Sequence, residues 1–253
     1  MKILLIILCI LIASPVMCGL EFDGVNQYVD CGDSDDFTPV LSDGFYICGW
    51  FVFDDASAAD QSLVAKYNSD LDWRCLCDGG SYSFVIRDDG GSAYILRRGN
   101  LSPTSSGVTY FIEFIYDGGV VDTSLKIYQN LAREDDTSAG SGSFDNPLNG
   151  SDPVRFATAQ SSKYLDGTAW DIRIYNRALS LAERQSIYHS RGADNITNGL
   201  VGRWLMNEGT EGATASGASS CIDISGHGTH GTPAGTPTYE ASPAKLISPI
   251  LMG

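Results

Sequence analysis

Short runs of alternating apolar and polar residues, each closed by Gly, Asp or Asn, follow one another along most of this chain. Leu20–Asp23 and Tyr28–Cys31 flank a turn at Gly24, and Gly44–Phe53 (GFYICGWFVF) is a longer apolar run rich in aromatics. Ser62–Tyr67, Trp73–Cys77, Ser81–Arg87 and Ala93–Arg97 come next; Val108–Tyr116 alternates around Glu113, and Ser124–Gln129 follows an Asp117-Gly118-Gly119 turn. Strands this short, recurring at about every 8–12 residues between turn signals, predict a sandwich or barrel. One helix interrupts them. Ser180 with Glu183 three residues on forms a capping box, and the helix is expected from Leu181 to about His189. Arg133–Asn149 is polar and Gly/Ser-rich and is expected as a surface loop.

The first residues follow a different pattern. Lys2 precedes eleven apolar residues, Ile3–Ala13, and then Ser14-Pro15-Val16-Met17-Cys18. That is too short to span a bilayer and reads as a secretory leader over 1–18, with lipidation of Cys18 or retention as an uncleaved anchor as the alternatives. A secreted or cell-surface protein is expected. The chain has 253 residues, 43% apolar and 19% charged, so it has material for a core. Its formal charge of −15 argues against nucleic acid and against acidic membrane surfaces as partners. Seven cysteines become five without Cys9 and Cys18: Cys31, Cys48, Cys75, Cys77 and Cys221. An odd number in a chain this long is not a small disulfide scaffold, and these five are read as buried thiols with or without one bridge among them.

Five blocks carry a family resemblance: LEFDGVNQYVDCG (20–32), GFYICGWFVF (44–53), FIYDGG (114–119), SLKIYQN (124–130) and LDGTAWDIRIYNRALSLAER (165–184). In order and spacing they resemble the laminin-G-like, concanavalin-A-like lectin/glucanase superfamily. The resemblance implies an all-β fold, a two-sheet antiparallel jelly-roll β-sandwich, usually a ligand-binding module and often one for carbohydrate. GLVGRWLMNEG (199–209) and CIDISGHGTHGTP (221–233) resemble opening strands that normally precede the LEFDG block. Here they follow the helix. The expected organisation is therefore a sandwich over 19–198, completed by C-terminal strands over 199–246, with a tail at 247–253. The alternatives are the start of a truncated second domain, or strand exchange between two chains to give a dimer.

Candidate chemistry is sparse. Gly226-His227-Gly228-Thr229-His230-Gly231 matches a dinucleotide fingerprint, but Pro233 and Pro237 follow where a helix is required, so a glycine-dense turn held by Asp223 or Ser225 is expected instead. The two histidines have no partner at zinc spacing. Glu21 and Asp23 share a strand face and bring to mind the paired carboxylates of glucanases of the superfamily, yet the third carboxylate is missing. Enzymatic activity is not expected, and glycoside hydrolysis stands as a distant third reading. The resemblance makes a calcium ion plausible, structural or ligand-bridging, with Asp23, Asp171 and Asp223 as its candidate ligands. No organic cofactor is expected. For a sugar, an aromatic in a polar loop is sought, which points to Trp73 with Tyr67, Asn68, Asp72 and Tyr94 nearby; Trp50, Trp170 and Trp204 lie in apolar runs and are expected in the core. A non-catalytic module for a glycan or glycosylated surface is the leading expectation. A structural or adhesive surface or virion component that binds protein partners is the alternative.

Overall fold

The computed structural model describes residues 18–241 apart from 59, 68–70, 79, 91, 100–102, 104 and 161–162. The leader-like segment before Cys18, Asn68, and the chain from 242 onward lie outside the described residues. Among the described residues the chain forms strands β1 (Cys18–Asp23), β2 (Tyr28–Asp30), β3 (Phe45–Phe53), β4 (Gln61–Tyr67), β5 (Leu71–Asp78), β6 (Ser81–Arg87), β7 (Tyr94–Gly99) and β8 (Thr109–Tyr116). They continue as β9 (Leu125–Gln129), β10 (Ala132–Arg133), β11 (Asp135–Ser138), β12 (Val154–Phe156), β13 (Asp166–Tyr175), β14 (Leu200–Trp204), β15 (Thr232–Ala234) and β16 (Thr238–Ala241), with helix α1 (Leu181–Ser190) after β13. Two antiparallel sheets of eight strands result. The first runs β10-β9-β8-β3-β13-β1-β16 with β14 also paired to β13, and the second runs β11-β7-β6-β5-β4-β12-β2-β15. This is the jelly-roll sandwich expected from the sequence.

The alternation of side chains decides what each face does. In β8, Tyr110, Ile112, Phe114 and Tyr116 enter the core between the sheets, together with Leu20, Phe22, Phe45, Trp73, Phe84, Phe156 and Trp204. Phe111 and Ile115 face the other way, into a second apolar layer with Trp50, Trp170 and Ile187. That layer seats α1 on the outer face of the first sheet: Tyr188 stacks on Trp50 at 5.5 Å between centroids. Glu113 faces it too. Its carboxylate accepts hydrogen bonds from Tyr46 Oη (2.7 Å), Arg184 Nε (2.7 Å) and Arg184 Nη2 (3.0 Å). Arg184 also lies over the Tyr128 ring at 3.7 Å. The single charge in an otherwise apolar strand is thus the anchor of the helix, and burial pushes the Tyr46 hydroxyl well above its ordinary pKa. The capping box forms as expected, Glu183 N donating to Ser180 Oγ and Ser180 N to Glu183 Oε2.

A bulge in β13 explains how one strand serves two neighbours on the same side. Asp171 takes a left-handed conformation (φ 45°) and the β3 register shifts there; residues before it pair with β1 and residues after it with β14. The C-terminal segment contributes to both sheets, β14 against β13, β16 against β1, and β15 against β2. Trp204 fills the core, edge-on to Phe156 at 4.8 Å between centroids, with its indole N–H donated to Thr229 O at 2.8 Å.

The stretch 133–149 departs from the expected loop. It completes β10 and supplies edge strand β11, because the buried Asp135 carboxylate binds Ile127 N (2.9 Å), Arg97 Nε (2.8 Å) and Arg133 Nε (3.0 Å) and so ties the edges of the two sheets together. Burial alone would raise this carboxyl; the arginines and the Ile127 amide hold it below its ordinary value.

Glu21 gives the fold a pH dependence. On the outer side of β1 its carboxyl is pushed up to about 8, chiefly by burial, against the hydrogen bond from Thr168, with the charges of Asp54 and Glu240 adding to the rise. The folded state therefore holds a proton that the unfolded chain has released between about pH 4.5 and 8, and stability falls as pH rises through that window. Glu21→Gln keeps an acceptor for Thr168 and removes the charge. After allowance for solvent screening it is expected to stabilise by about 1–2 kcal/mol at pH 8.5 and by almost nothing at pH 4. Urea melts at both pH values test this, and an equal effect at the two would refute the assignment.

Candidate functional site

Register across the second sheet sets an outward row: Thr232, Asp30, Arg155, Ala65, Arg74, Val85 and Leu96. Val85 and Leu96 are small enough to be roofed, and Tyr67 and Tyr94 pack on them from either side. Both tyrosines stay half-buried. The Arg74 guanidinium lies 5.7 Å from the Tyr67 ring centroid, and its Nε is buried without a hydrogen-bond partner. Tyr67 Oη donates to Gln160 Oε1 at 2.7 Å, which fixes the ring at the sheet margin. Arg87 sits opposite Tyr94 in the ladder. Further along the row Arg155 pairs with Asp30 at 2.9 Å and covers the Tyr28 ring at 5.3 Å. The result is a shelf of aromatic edges on a dry aliphatic floor, bordered by guanidinium and carboxamide groups. Such a surface can hold the apolar face of a ring and donate to its hydroxyls.

Of the expected sugar-binding set, the structure brings Tyr67 and Tyr94 together on this shelf. Trp73 is not there. It is fully buried, tilted against Phe45 at 5.5 Å between centroids, with its N–H donated to Phe37 O at 2.8 Å. The strand period turns it inward while its neighbour Arg74 turns out, so it belongs to the core and not to a sugar platform. Asp72 is also corrected. It is buried as the counter-ion of Lys66, Nζ to Oδ2 2.6 Å, and accepts Gly150 N at 2.9 Å. Lys66 is itself wholly buried and reaches Asp33 Oδ1 at 3.0 Å, so this group of acids already has its cation. Burial pushes the Asp72 carboxyl up despite Lys66. Asn68 lies outside the described residues. Arg74, Arg87, Gln160, Val85 and Leu96 escaped sequence reading; alternation about Trp73 was the available signal for Arg74, and nothing in the sequence shows which residues lie opposite one another across strands.

The three candidate calcium ligands do not form a metal centre. Asp23 Oδ1 accepts Val25 N (2.9 Å) and Asn26 N (3.2 Å), capping the Gly24 turn. Asp171 lies between two guanidiniums, Arg173 Nη2 at 2.7 Å and Arg203 Nε at 2.8 Å. Asp223 accepts Arg203 N (3.0 Å), Ser225 N (2.8 Å) and Thr229 N (3.1 Å), which organises the glycine-dense turn. Burial alone would raise the Asp223 carboxyl, and these donors bring it below its ordinary value. Oxygens so occupied do not fit a cation that asks for six to eight of them. Among the described residues no three His, Cys, Asp or Glu side chains converge as metal ligands. An open cleft of about 540 Å³ lies elsewhere, lined by Asp55, Ala56, Ser57, Gly80, Pro103, Ser105 and Ser106, without an aromatic side chain.

With two antiparallel sheets and the outward shelf described, residues 23–183 match the family model of the concanavalin A-like lectin/glucanases superfamily. The chain belongs to this superfamily. No curated protein matches the sequence. Among solved structures, a "putative carbohydrate binding protein" from Bacteroides ovatus superposes with a TM-score of 0.61 at 16% identity, over 90% of this chain and 61% of that one. The chain thus spans less than two thirds of that relative, and the likeness at this identity is one of fold. The binding domain of botulinum neurotoxin serotype G gives 0.47 at 16% identity over 64% of this chain and 40% of that one. The binding domain of Paraclostridial Mosquitocidal Protein 1 gives 0.46 at 15% over 70% and 47%.

Proposed function

We propose that this chain is a secreted, non-catalytic module that binds a glycan on the outer face of its second sheet. The observation that carries this reading is the shelf itself: two half-buried tyrosines seated on Val85 and Leu96, with the Arg74 guanidinium 5.7 Å from the Tyr67 ring centroid. Sugar recognition needs that combination of a flat apolar surface and fixed polar groups. Membership of a lectin-type superfamily supports it. Tyr67, Arg74, Arg87 and Tyr94 bring no carboxyl group, so the shelf lacks the pair of carboxylates on which most glycoside hydrolysis rests.

Glycan-array binding of the full chain tests the proposal. Tyr94→Ala and Tyr67→Ala are each expected to weaken selective binding about tenfold, near 1.4 kcal/mol, without lowering the melting temperature by more than a few degrees. EDTA is expected to leave binding unchanged, because the candidate aspartates are engaged by protein donors. Selective binding that survives both substitutions moves the site off the shelf, and binding lost on chelation restores calcium.

A further inference from the structure

Cys31 and Cys221 are far apart in sequence and share one corner of the core. Extending the β2–β15 ladder by one residue past Asp30–Thr232 sets Gly231 opposite Cys31. Gly231 has no side chain, and the space is taken: a Cβ there would lie 2.4 Å from Val29 Cγ1 and 3.0 Å from the Cys221 sulfur. Val29 and Cys31 point to the same face of β2, into the core. Gly231 N donates to Cys221 O at 2.8 Å, which clamps the two segments together. The sulfur of Cys221 therefore lies beside the side-chain position that faces Cys31 across the ladder, where cross-strand neighbours are about 4.5–5.5 Å apart. Both residues are buried, with Cys31 4% and Cys221 0% exposed.

We infer that Cys31 and Cys221 are a disulfide pair that, once oxidised, staples the C-terminal segment to β2. Among the described residues the remaining cysteines have no such geometry. Cys48 sits in the layer under α1, on the opposite side of the first sheet from the core. Cys75 and Cys77 lie on β5, three strands from β2 and so about 14 Å away. Cys18 is on β1, paired with Ala241 in the other sheet. The ladder position of Gly231 opposite Cys31, with the Cys221 sulfur against it, selects Cys221 as the partner, since a bridge needs Cα atoms within about 7 Å.

The chemistry is thiol–disulfide exchange with a small disulfide such as oxidised glutathione as the oxidant. One cysteine thiolate attacks the glutathione disulfide and expels one glutathione thiolate. The second cysteine thiolate then attacks the mixed disulfide and expels the other. Two cysteine thiols lose two protons and two electrons, and the oxidant becomes two glutathione thiols. Burial, with the neighbouring Cys221 sulfur next, pushes the Cys31 thiol well up, and burial does the same for Cys221. In the folded protein such thiols are protonated and shielded, so exchange belongs to folding, before the C-terminal segment docks.

The test is peptide mapping of the full chain refolded with oxidised glutathione, alkylated without reductant. The expected result is one bridged peptide pair containing Cys31 and Cys221, with Cys48, Cys75 and Cys77 alkylated after unfolding. Reduction should lower the melting temperature by on the order of 10 °C, because the bridge closes a very long loop. Cys221→Ser should lose that sensitivity to reductant. Recovery of Cys31 and Cys221 alkylated, or of either bridged elsewhere, overturns the assignment, and mapping of the unmutated chain decides this even where Cys221→Ser does not fold.

Discussion

A chain ending at Asn198 is expected to show no cooperative melt. The residues it lacks include Leu200, Val201, Trp204, Met206, Cys221 and Tyr239, all buried. Removing them strips β14 from one side of the lower half of β13, which keeps β3 on the other, and leaves one edge each of β1 and β2 without a partner. Trp204 by itself contacts Phe37 and Phe156 in the centre of the sandwich. Trp204→Ala is expected to cost about 3–5 kcal/mol, a large share of the about 5–15 kcal/mol that holds a domain together. Loss of every such residue exceeds the whole. Differential scanning calorimetry on the full and shortened chains checks this, and a shortened chain that melts cooperatively near the temperature of the full one refutes it.

Glu113→Ala is a polar substitution with a large expected cost. It leaves the nearly buried Arg184 guanidinium without its carboxylate and the Tyr46 hydroxyl without its acceptor. Breaking such a pair by removing one partner costs about 3–5 kcal/mol, mostly because an uncompensated charge stays in the interior. Glu113→Leu with Arg184→Leu is therefore expected to recover much of the loss. Chemical denaturation of the two variants separates the readings: a double variant no more stable than Glu113→Ala means that attraction between the two charges, not a stranded charge, was the main term. The helix is the element that loosens first, since Arg184, Ile187 and Tyr188 are its holds on the sheet.

How much of the molecule was legible in the sequence varies with the range of the interactions concerned. Period-two alternation in 108–116 placed a strand with one apolar face, and the structure places β8 at 109–116. The Ser180–Glu183 capping box marked the start of α1 because its hydrogen bonds close within one turn. The glycine-dense turn is expected to be held by Asp223 or Ser225, and both accept local amides there. Trp50, Trp170 and Trp204 were expected in the core from their apolar surroundings and are there. Trp73 misled because its sequence neighbours are aspartates and arginine, which is the company of a loop; in the strand that forms, Asp72 is a counter-ion of Lys66, Arg74 is an outward side chain, and the indole points inward. Asp135 likewise read as loop, since the arginine of β7 and the amide of β9 that satisfy it come from other strands.

What the sequence by itself determined is the set of local choices: strand periods, turn positions, the capped helix, and the ordered blocks of a lectin-type sandwich. Those depend on φ/ψ preferences, side-chain alternation and hydrogen bonds that close within a few residues. Only the tertiary structure decided which outward side chains form a surface and which charges are spent internally. The meeting of Tyr67, Arg74, Val85, Leu96 and Tyr94 rests on the register of four strands, and a slip of one residue would turn the whole set into the core. Asp171 and Asp72 became counter-ions because Arg203 and Lys66 reach them across strands. Cross-strand register is a property of the packed sandwich, set by burying the apolar faces all at once.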